Sequence, residues 1–312
     1  MNTDEASPKV AVLMATLNGA VHLDEQLDSL LAQTHPLVDV FVSDDGSTDA
    51  TRDILEGWAS RWPKGRFVLI RGPQKGFAEN FRSLIVNGAI DADYFAFCDQ
   101  DDIWEPGKLT EAIAILRDRE PSVPALFGSR TLTMTEDGRA VGYSPLFAKE
   151  PSFRNALVQS LAGGNTMVFN RRARQILARA SERSSFVSHD WWAYLLVSGA
   201  GGHVHYTPKP LVRYRQHSGN QVGANTSLGA RVSRFGRLLK GQFWRWSSEN
   251  IAGLERNTDL LTEDARQALD LFRRARKGRL PARLLYLRDS GVYRQTAWGS
   301  FGLYLAIVIG RI

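Results

Sequence analysis

Three acids fall within four residues at Asp99-Gln100-Asp101-Asp102, directly after the apolar run Tyr94–Cys98. Carboxylates that close repel one another unless a cation sits among them, and hard oxygen donors suit Mg2+ or Mn2+ rather than Zn2+. A divalent ion there can bridge a diphosphate and neutralise charge on a departing nucleotide. The competing reading is an acidic solvated turn. A second acidic cluster, Ser43-Asp44-Asp45-Gly46-Ser47-Thr48-Asp49, follows the run Val38–Ser43. One polar residue there is explained as a helix cap, but two adjacent carboxylates are more than a cap requires. A carboxylate at such a place can accept hydrogen bonds from a nucleobase imide or a ribose hydroxyl. Ala15-Thr16-Leu17-Asn18-Gly19 is also small and polar, but reads equally as ordinary turn chemistry.

These clusters share a position: each ends a short apolar run. Lys9–Ala15 reads as a strand buried on both faces, and Val38–Ser43, Arg66–Ile70 and Tyr94–Cys98 read as three further strands. Between and after them, leucines 23, 27, 30 and 31, then Ile54, Leu55 and Trp58, then Phe77, Phe81, Leu84 and Ile85, then Leu109, Ile113 and Leu116 recur at helical spacing. Four strand–helix units in about 110 residues predict an α/β fold, a doubly wound and mostly parallel sheet. Ligands of such sheets bind outside the carboxyl ends of the strands, where the acids stand. From about 121 to 211 the pattern loosens, and beyond about 219 it turns helical and basic.

The 312 residues carry a net charge of +6 and a single cysteine, Cys98. That excludes an intramolecular disulfide framework and a cysteine-rich zinc site, and points to a reducing compartment. The charge is uneven. Residues 1–227 hold 23 Lys and Arg against 26 Asp and Glu, whereas 228–312 hold 16 against 7. The polar, acidic start MNTDEASPKV is not a signal peptide. The longest apolar stretch, Ala297 to Gly310, falls short of the roughly 20 residues that cross a bilayer as a helix.

TLNG, VSDDGSTD, CDQDDIWEPGK, GGN, HDWW and RQHSGN, in that order, resemble the family 2 glycosyltransferases. The likeness is to the rhamnosyltransferase-like branch of bacterial surface polysaccharide synthesis, and covers about 8 to 225. It implies a GT-A fold over 1–225, with a nucleotide-binding half at about 8–120 and an acceptor half at about 121–225. It implies an inverting transfer from a nucleotide diphosphate sugar, dTDP- or UDP-linked, with Mn2+ or Mg2+. Carried over, Thr16 and Asn18 lie beside the nucleotide, Asp45 holds the base and Lys75 contacts the nucleotide. Asp99 and Asp101 match a D-x-D metal motif, Asp99 toward the ribose or metal and Asp101 as direct ligand. Asp190 matches the catalytic acid, although many members have Glu-Asp where this chain has His189-Asp190. A helix N-cap is the competing use of Asp190. Of Trp191 and Trp192 one is expected in the core and Trp191 on a sugar. Gly164 and Asn165 either bring backbone close to a sugar or form a tight turn. His217 is either a third metal ligand or structural.

Between Arg273 and Arg294 stand eight Lys and Arg and one acid, Asp289. A basic amphipathic helix followed by an apolar terminal segment suits an anionic membrane surface, which fits a lipid-linked acceptor. A homodimer contact and a basic face packed on the body are the competing uses of this 226–312 region. The reading is of a cytoplasmic enzyme, peripheral at the inner face of the membrane. A related nucleotidyltransferase would want a Gly-rich triphosphate loop near the first strand, and none is seen. A nucleic-acid or polyanion binder would spread its cations along a groove with aromatics, whereas here they are confined to the tail. A dinucleotide-dependent oxidoreductase would want G-x-G-x-x-G after the first strand.

Overall fold

In the computed structural model, which describes residues 7–216 and 242–310, the chain opens with strand β1, Val10–Thr16. Successive side chains of a strand point to opposite faces, and β1 shows why its run is apolar throughout. Val10, Val12 and Met14 enter one hydrophobic core, and Ala11 and Leu13 enter the other. β2 (Val38–Asp44), β3 (Phe67–Arg71) and β4 (Tyr94–Cys98) extend this layer, with parallel order β3-β2-β1-β4.

The intervening helices cover both faces. Leu23, Leu27 and Leu30 of α1 (Leu23–Leu31) and Leu55 and Trp58 of α2 (Thr51–Ala59) enter the core that holds Val12. Leu109, Ile113 and Leu116 of α4 (Lys108–Arg117) join them. Phe81, Leu84 and Ile85 of α3 (Phe77–Val86) fill the other core. Each such side chain contributes about 1.5–3 kcal/mol by leaving water. The α/β fold class read from the sequence is the one observed.

The second half adds β5 (Ile103–Trp104), β6 (Ala125–Met134), β7 (Ala140–Tyr143), β8 (Val168–Asn170) and β9 (His203–Arg215). Among the described residues the sheet runs β3-β2-β1-β4-β8-β6-β9-β5, with β7 beside β6. β8 is antiparallel to β4 and β6, while β9 is parallel to β6 and antiparallel to β5. The β6–β9 register slips on either side of Arg130, where Pro208 and Pro210 deny the ladder two amide donors. By that path β9 delivers Arg215 to the turn after β4. Helices α5 (Phe153–Ala156), α6 (Arg171–Arg183) and α7 (His189–Gly199) close the core behind the sheet. Ser152 and Asn170 cap α5 and α6 by accepting the amides of Asn155 and Ala173.

Among the described residues four α-helices follow: α8 (Gln242–Arg256), α9 (Glu263–Lys277), α10 (Leu280–Ser290) and α11 (Ala297–Val308). The 225/226 boundary expected from the sequence lies outside the described residues. Leu254, Phe272, Leu287, Leu303 and Ile307 share the core of Phe95, Phe169 and Trp192, so these helices pack on the sheet domain. Arg154 makes a two-pronged ion pair with Asp264 at 2.6 and 2.7 Å, and Asn155 Nδ2 donates to the Tyr293 carbonyl at 2.9 Å. The basic run is not the single amphipathic helix expected. Gly278 ends α9, Pro281 sits in the first turn of α10, and Gly291 closes α10 at φ +65°. No helix among the described residues is long and apolar enough to cross a membrane.

Candidate active site

The carboxyl ends of β1, β2 and β4 lie side by side, because Thr16 pairs with Asp44 and Met14 with Cys98 in the parallel ladders. The turns that leave them are tied together by side chains. Thr16 Oγ1 donates to Asp44 Oδ1 at 3.1 Å, and Ser47 donates its amide to Asp44 Oδ2. Asn18, in the left-handed region at φ +49°, accepts the Thr48 amide at 2.8 Å through its side-chain oxygen. Thr16 and Asn18, expected beside a nucleotide, thus hold the two turns to each other.

Asp45 Oδ1 accepts the Gln74 amide at 2.6 Å and Oδ2 the Gly76 amide at 2.8 Å. The buried Asp45 therefore shapes the Gly72–Gly76 turn, on which Lys75 is exposed. Each of its oxygens keeps a second lone pair for a further donor.

The turn after β4 is the most heavily organised. Asp102 is buried; its Oδ2 accepts Asn165 Nδ2 at 2.5 Å and its Oδ1 accepts the Arg215 amide at 3.1 Å. Arg215, also buried, donates from Nε to the Asp101 carbonyl at 3.0 Å and from Nη1 to the Glu136 carbonyl at 2.6 Å, and pairs with Glu25 through Nη2. Beneath lies Lys108, fully buried, donating to the Asn165 carbonyl at 2.7 Å with its ammonium 2.9 Å from the Trp104 ring centroid. Burial pushes its ammonium well below the usual range, against the pull of Cys98, Asp102 and Asp99.

Asp190, in the first turn of α7, accepts from Ser160 Oγ at 3.2 Å through Oδ2. It stands near enough to Asp99 for its charge to be felt there. Burial, then Asp102, Asp101 and Asp190, holds the Asp99 carboxyl well above the usual range, with Lys108 opposing. Burial and Asp101 raise Asp102 to about 7, against its hydrogen bonds from Asn165 and Arg215. Thus Asp190, far away in sequence, lies within reach of the acidic turn at the carboxyl end of β4.

The model for glycosyl transferase family 2 matches residues 11–174, through the turns just described. The chain belongs to this family. It is similar to a dTDP-rhamnosyl transferase, RfbG of Shigella flexneri, at 30% identity over 77% of this chain and 83% of that protein. Among solved structures it is similar in fold to S. aureus TarS in complex with UDP-GlcNAc, with a TM-score of 0.52 at 16% identity, covering 96% of this chain and 90% of that one. It is likewise similar to a Pyrobaculum calidifontis mannosyltransferase in complex with GDP-Man and Mn2+, with a TM-score of 0.51 at 18% identity, covering 98% and 86%. The protein is a glycosyltransferase.

Three expectations for this family 2 transferase need correction. Trp191 is buried, donating to the Ala156 carbonyl at 2.6 Å and stacking on Phe243, so it belongs to the core as Trp192 does and offers no face to a sugar. Asn165 is buried and committed to Asp102 and Lys108. Gly164 opens the tight turn Gly164–Thr166, the competing reading, and a Cβ on it would lie 1.9 Å from His189 Nε2, so this glycine makes room for that imidazole. His189 is itself stacked on Phe81 at 3.7 Å and set edge-on to Phe97 at 4.7 Å. His217 lies outside the described residues.

Reading the sequence alone passed over Gln100, Lys108 and Arg215. Gln100 occupies the middle of the D-x-D, and its amide joins the turn after β4 to the Leu17 backbone. The one signal for Lys108 was its place in CDQDDIWEPGK, and for Arg215 its place before Gln216-His217.

Among the described residues no group of three or more His, Cys, Asp and Glu side chains is arranged to hold a metal ion. Asp102 accepts from Asn165 and Arg215, and the carboxylates that the resemblance implies for a cation, Asp99 and Asp101, stand on either side of Gln100 in the same turn. Two carboxylates with substrate phosphates are an ordinary way for proteins to bind Mg2+. Burial first and then the neighbouring carboxylates raise Asp99, and such a cation would relieve the second of these.

Proposed function

We propose that this glycosyltransferase moves a sugar, rhamnose first among candidates, from a dTDP- or UDP-linked donor to a saccharide or lipid-linked saccharide in bacterial surface polysaccharide synthesis. It works with inversion, at the inner face of the membrane. The observation that supports this is that Asp190, in the first turn of α7, is close enough for its charge to act on Asp99 in the turn after β4. The likeness to RfbG supports the donor.

In this reading Asp190 is the general base. The acceptor hydroxyl gives its proton to the Asp190 carboxylate as its oxygen attacks the anomeric carbon, and the bond from that carbon to the diphosphate oxygen breaks with inversion. Ser160, donating to Oδ2, holds the carboxylate and leaves Oδ1 toward the acceptor. Asp45 and Lys75 hold the nucleotide at the far end. Mn2+ or Mg2+ held by Asp99 and Asp101 would offset charge on the departing diphosphate.

The test is transfer itself. The purified protein is incubated with dTDP-rhamnose or UDP-sugars, a saccharide acceptor and Mn2+, and the product's anomeric configuration is read by NMR. Expected is a product inverted relative to the donor, lost on chelation. A product with retained configuration would overturn the assignment of Asp190.

A further inference from the structure

The outer face of α11 is uncovered. Trp298 is 85% exposed, Phe301 63%, Leu305 37%, Val308 44% and Ile309 46%. Positions 298, 301, 305 and 308 share one side of a helix. Leu303, Ala306 and Ile307 on the opposite side are buried in the core, so the helix is anchored and its outer face is held in a fixed direction. No charged residue occurs from Ala297 to Ile309, and the neighbouring helix α10 adds the exposed Leu280 and Leu285.

Cations flank this face. Arg283 reaches the carboxyl end of α11, donating to the Ile307 carbonyl at 3.4 Å, and Arg294 stands before its amino end. Lys277, Arg279 and Arg288 are exposed nearby. From 273 to 310 the one acid is Asp289, already paired with Arg288 at 2.9 Å.

We infer that the outer face of α11 inserts into one leaflet of an anionic bilayer, with Trp298 and Phe301 among the acyl chains and the flanking cations on lipid phosphates. The inference deepens the transferase reading and rests on it for its purpose, which is to bring the site to a lipid-linked acceptor. Charge complementarity selects the occupant. An apolar face with a cationic rim matches an anionic lipid surface. A second copy seated face to face about a two-fold axis would bring like rims together with one paired carboxylate per copy to offset them. Twelve residues are too few to span a bilayer, so the helix lies in the interface plane.

The test is flotation of the full-length protein with vesicles of phosphatidylglycerol and phosphatidylethanolamine, against vesicles of phosphatidylcholine alone. Expected is binding to the anionic vesicles that weakens with salt. Trp298→Ser with Phe301→Ser should lower it at least tenfold, and Lys277→Glu with Arg279→Glu should lower it and flatten the salt dependence. All these side chains are exposed, so circular dichroism should be unchanged. Wild-type protein that stays unbound, or a serine double variant that binds as wild type does, overturns the inference. So does a wild-type dimer in sedimentation velocity that the serine substitutions make monomeric while vesicle binding is absent. Transfer to a water-soluble acceptor is measured on the same samples. Its persistence without vesicle binding sinks the membrane surface alone, and its absence with vesicle binding intact sinks the transferase reading instead.

Discussion

Gln100 grips the backbone of Leu17 with both ends of its amide: Oε1 accepts the Leu17 N–H at 2.8 Å and Nε2 donates to the Leu17 carbonyl at 3.1 Å. The contact welds the turn after β1 to the turn after β4, and it explains Gly19, whose Cβ would lie 2.4 Å from Gln100 Oε1. The residue between Asp99 and Asp101 thus fixes where those acids stand relative to the turn after β1.

Gln100→Glu keeps the shape but can no longer donate to the Leu17 carbonyl, and it adds a fourth carboxylate to the turn. Loss of one hydrogen bond at a partly exposed site costs about 0.5–1.5 kcal/mol. The effect should therefore fall mainly on the donor: a rise in KM of about tenfold or more, with a melting temperature lowered by only a few degrees. Steady-state kinetics beside thermal unfolding checks this, and an unchanged KM would mean that the weld does not position the site.

Asp101→Ala removes one of the two carboxylates proposed to hold a cation. Expected is loss of the Mn2+-dependent part of nucleotide diphosphate binding, measured by calorimetry with and without the metal, while metal-independent binding through the Asp45 turn persists. Equal enhancement by Mn2+ in variant and wild type would remove Asp101 from the ligand set.

Asp190→Asn leaves size and hydrogen bonding nearly unchanged and removes the base. It should lower kcat by about 10²–10⁴ while donor affinity stays within a factor of two or three. Ser160→Ala, which frees the Asp190 carboxylate to rotate, should lower kcat by a smaller factor. Turnover of Asp190→Asn near that of wild type would assign the proton transfer to another group.

The first four strands were legible because their short apolar runs stand out from the helical spacing around them, even in the half-buried edge strand β3. β9 was not. Its thirteen residues contain Pro208 and Pro210, alternate weakly, and are held by the β6 ladder on one side and the two-residue β5 on the other. In the site, the acids were legible because several carboxylates at a strand end are costly without a use. Lys108, Arg215 and the partner of Asn165 were not, because each acts through a contact between distant parts of the chain. Trp191 was misplaced for a related reason: adjacent residues of a helix face different ways, but α7 is surrounded by core on both of those sides.

Gly164 and His189 should be coupled. The alanine methyl of Gly164→Ala would overlap the imidazole, and overpacking of this kind costs about 1–3 kcal/mol. In a His189→Ala background the overlap is gone, and the same substitution should cost far less. Urea unfolding of the four proteins gives the coupling energy. Additive costs would show that the ring moves aside freely.

His189 also makes stability depend on pH. Burial lowers its pKa to about 4 from the usual 6.5, with Asp190 pulling the other way, and among the described residues neither ring nitrogen has a hydrogen-bond partner. Below 6.5 the unfolded chain takes up the proton before the folded one does. The stability held by the neutral ring is therefore complete above pH 6.5 and is lost progressively as pH falls toward 4, about 3 kcal/mol over the whole window. Other groups titrate over the same range, so the comparison must be with His189→Phe, which keeps an aromatic ring on Phe81 and cannot ionise. The stability difference between variant and wild type should shift in favour of the variant by about that amount between pH 7 and pH 4, read by urea unfolding at half-unit steps. Curves that run parallel across the window would mean that the imidazole is not held neutral in the folded protein.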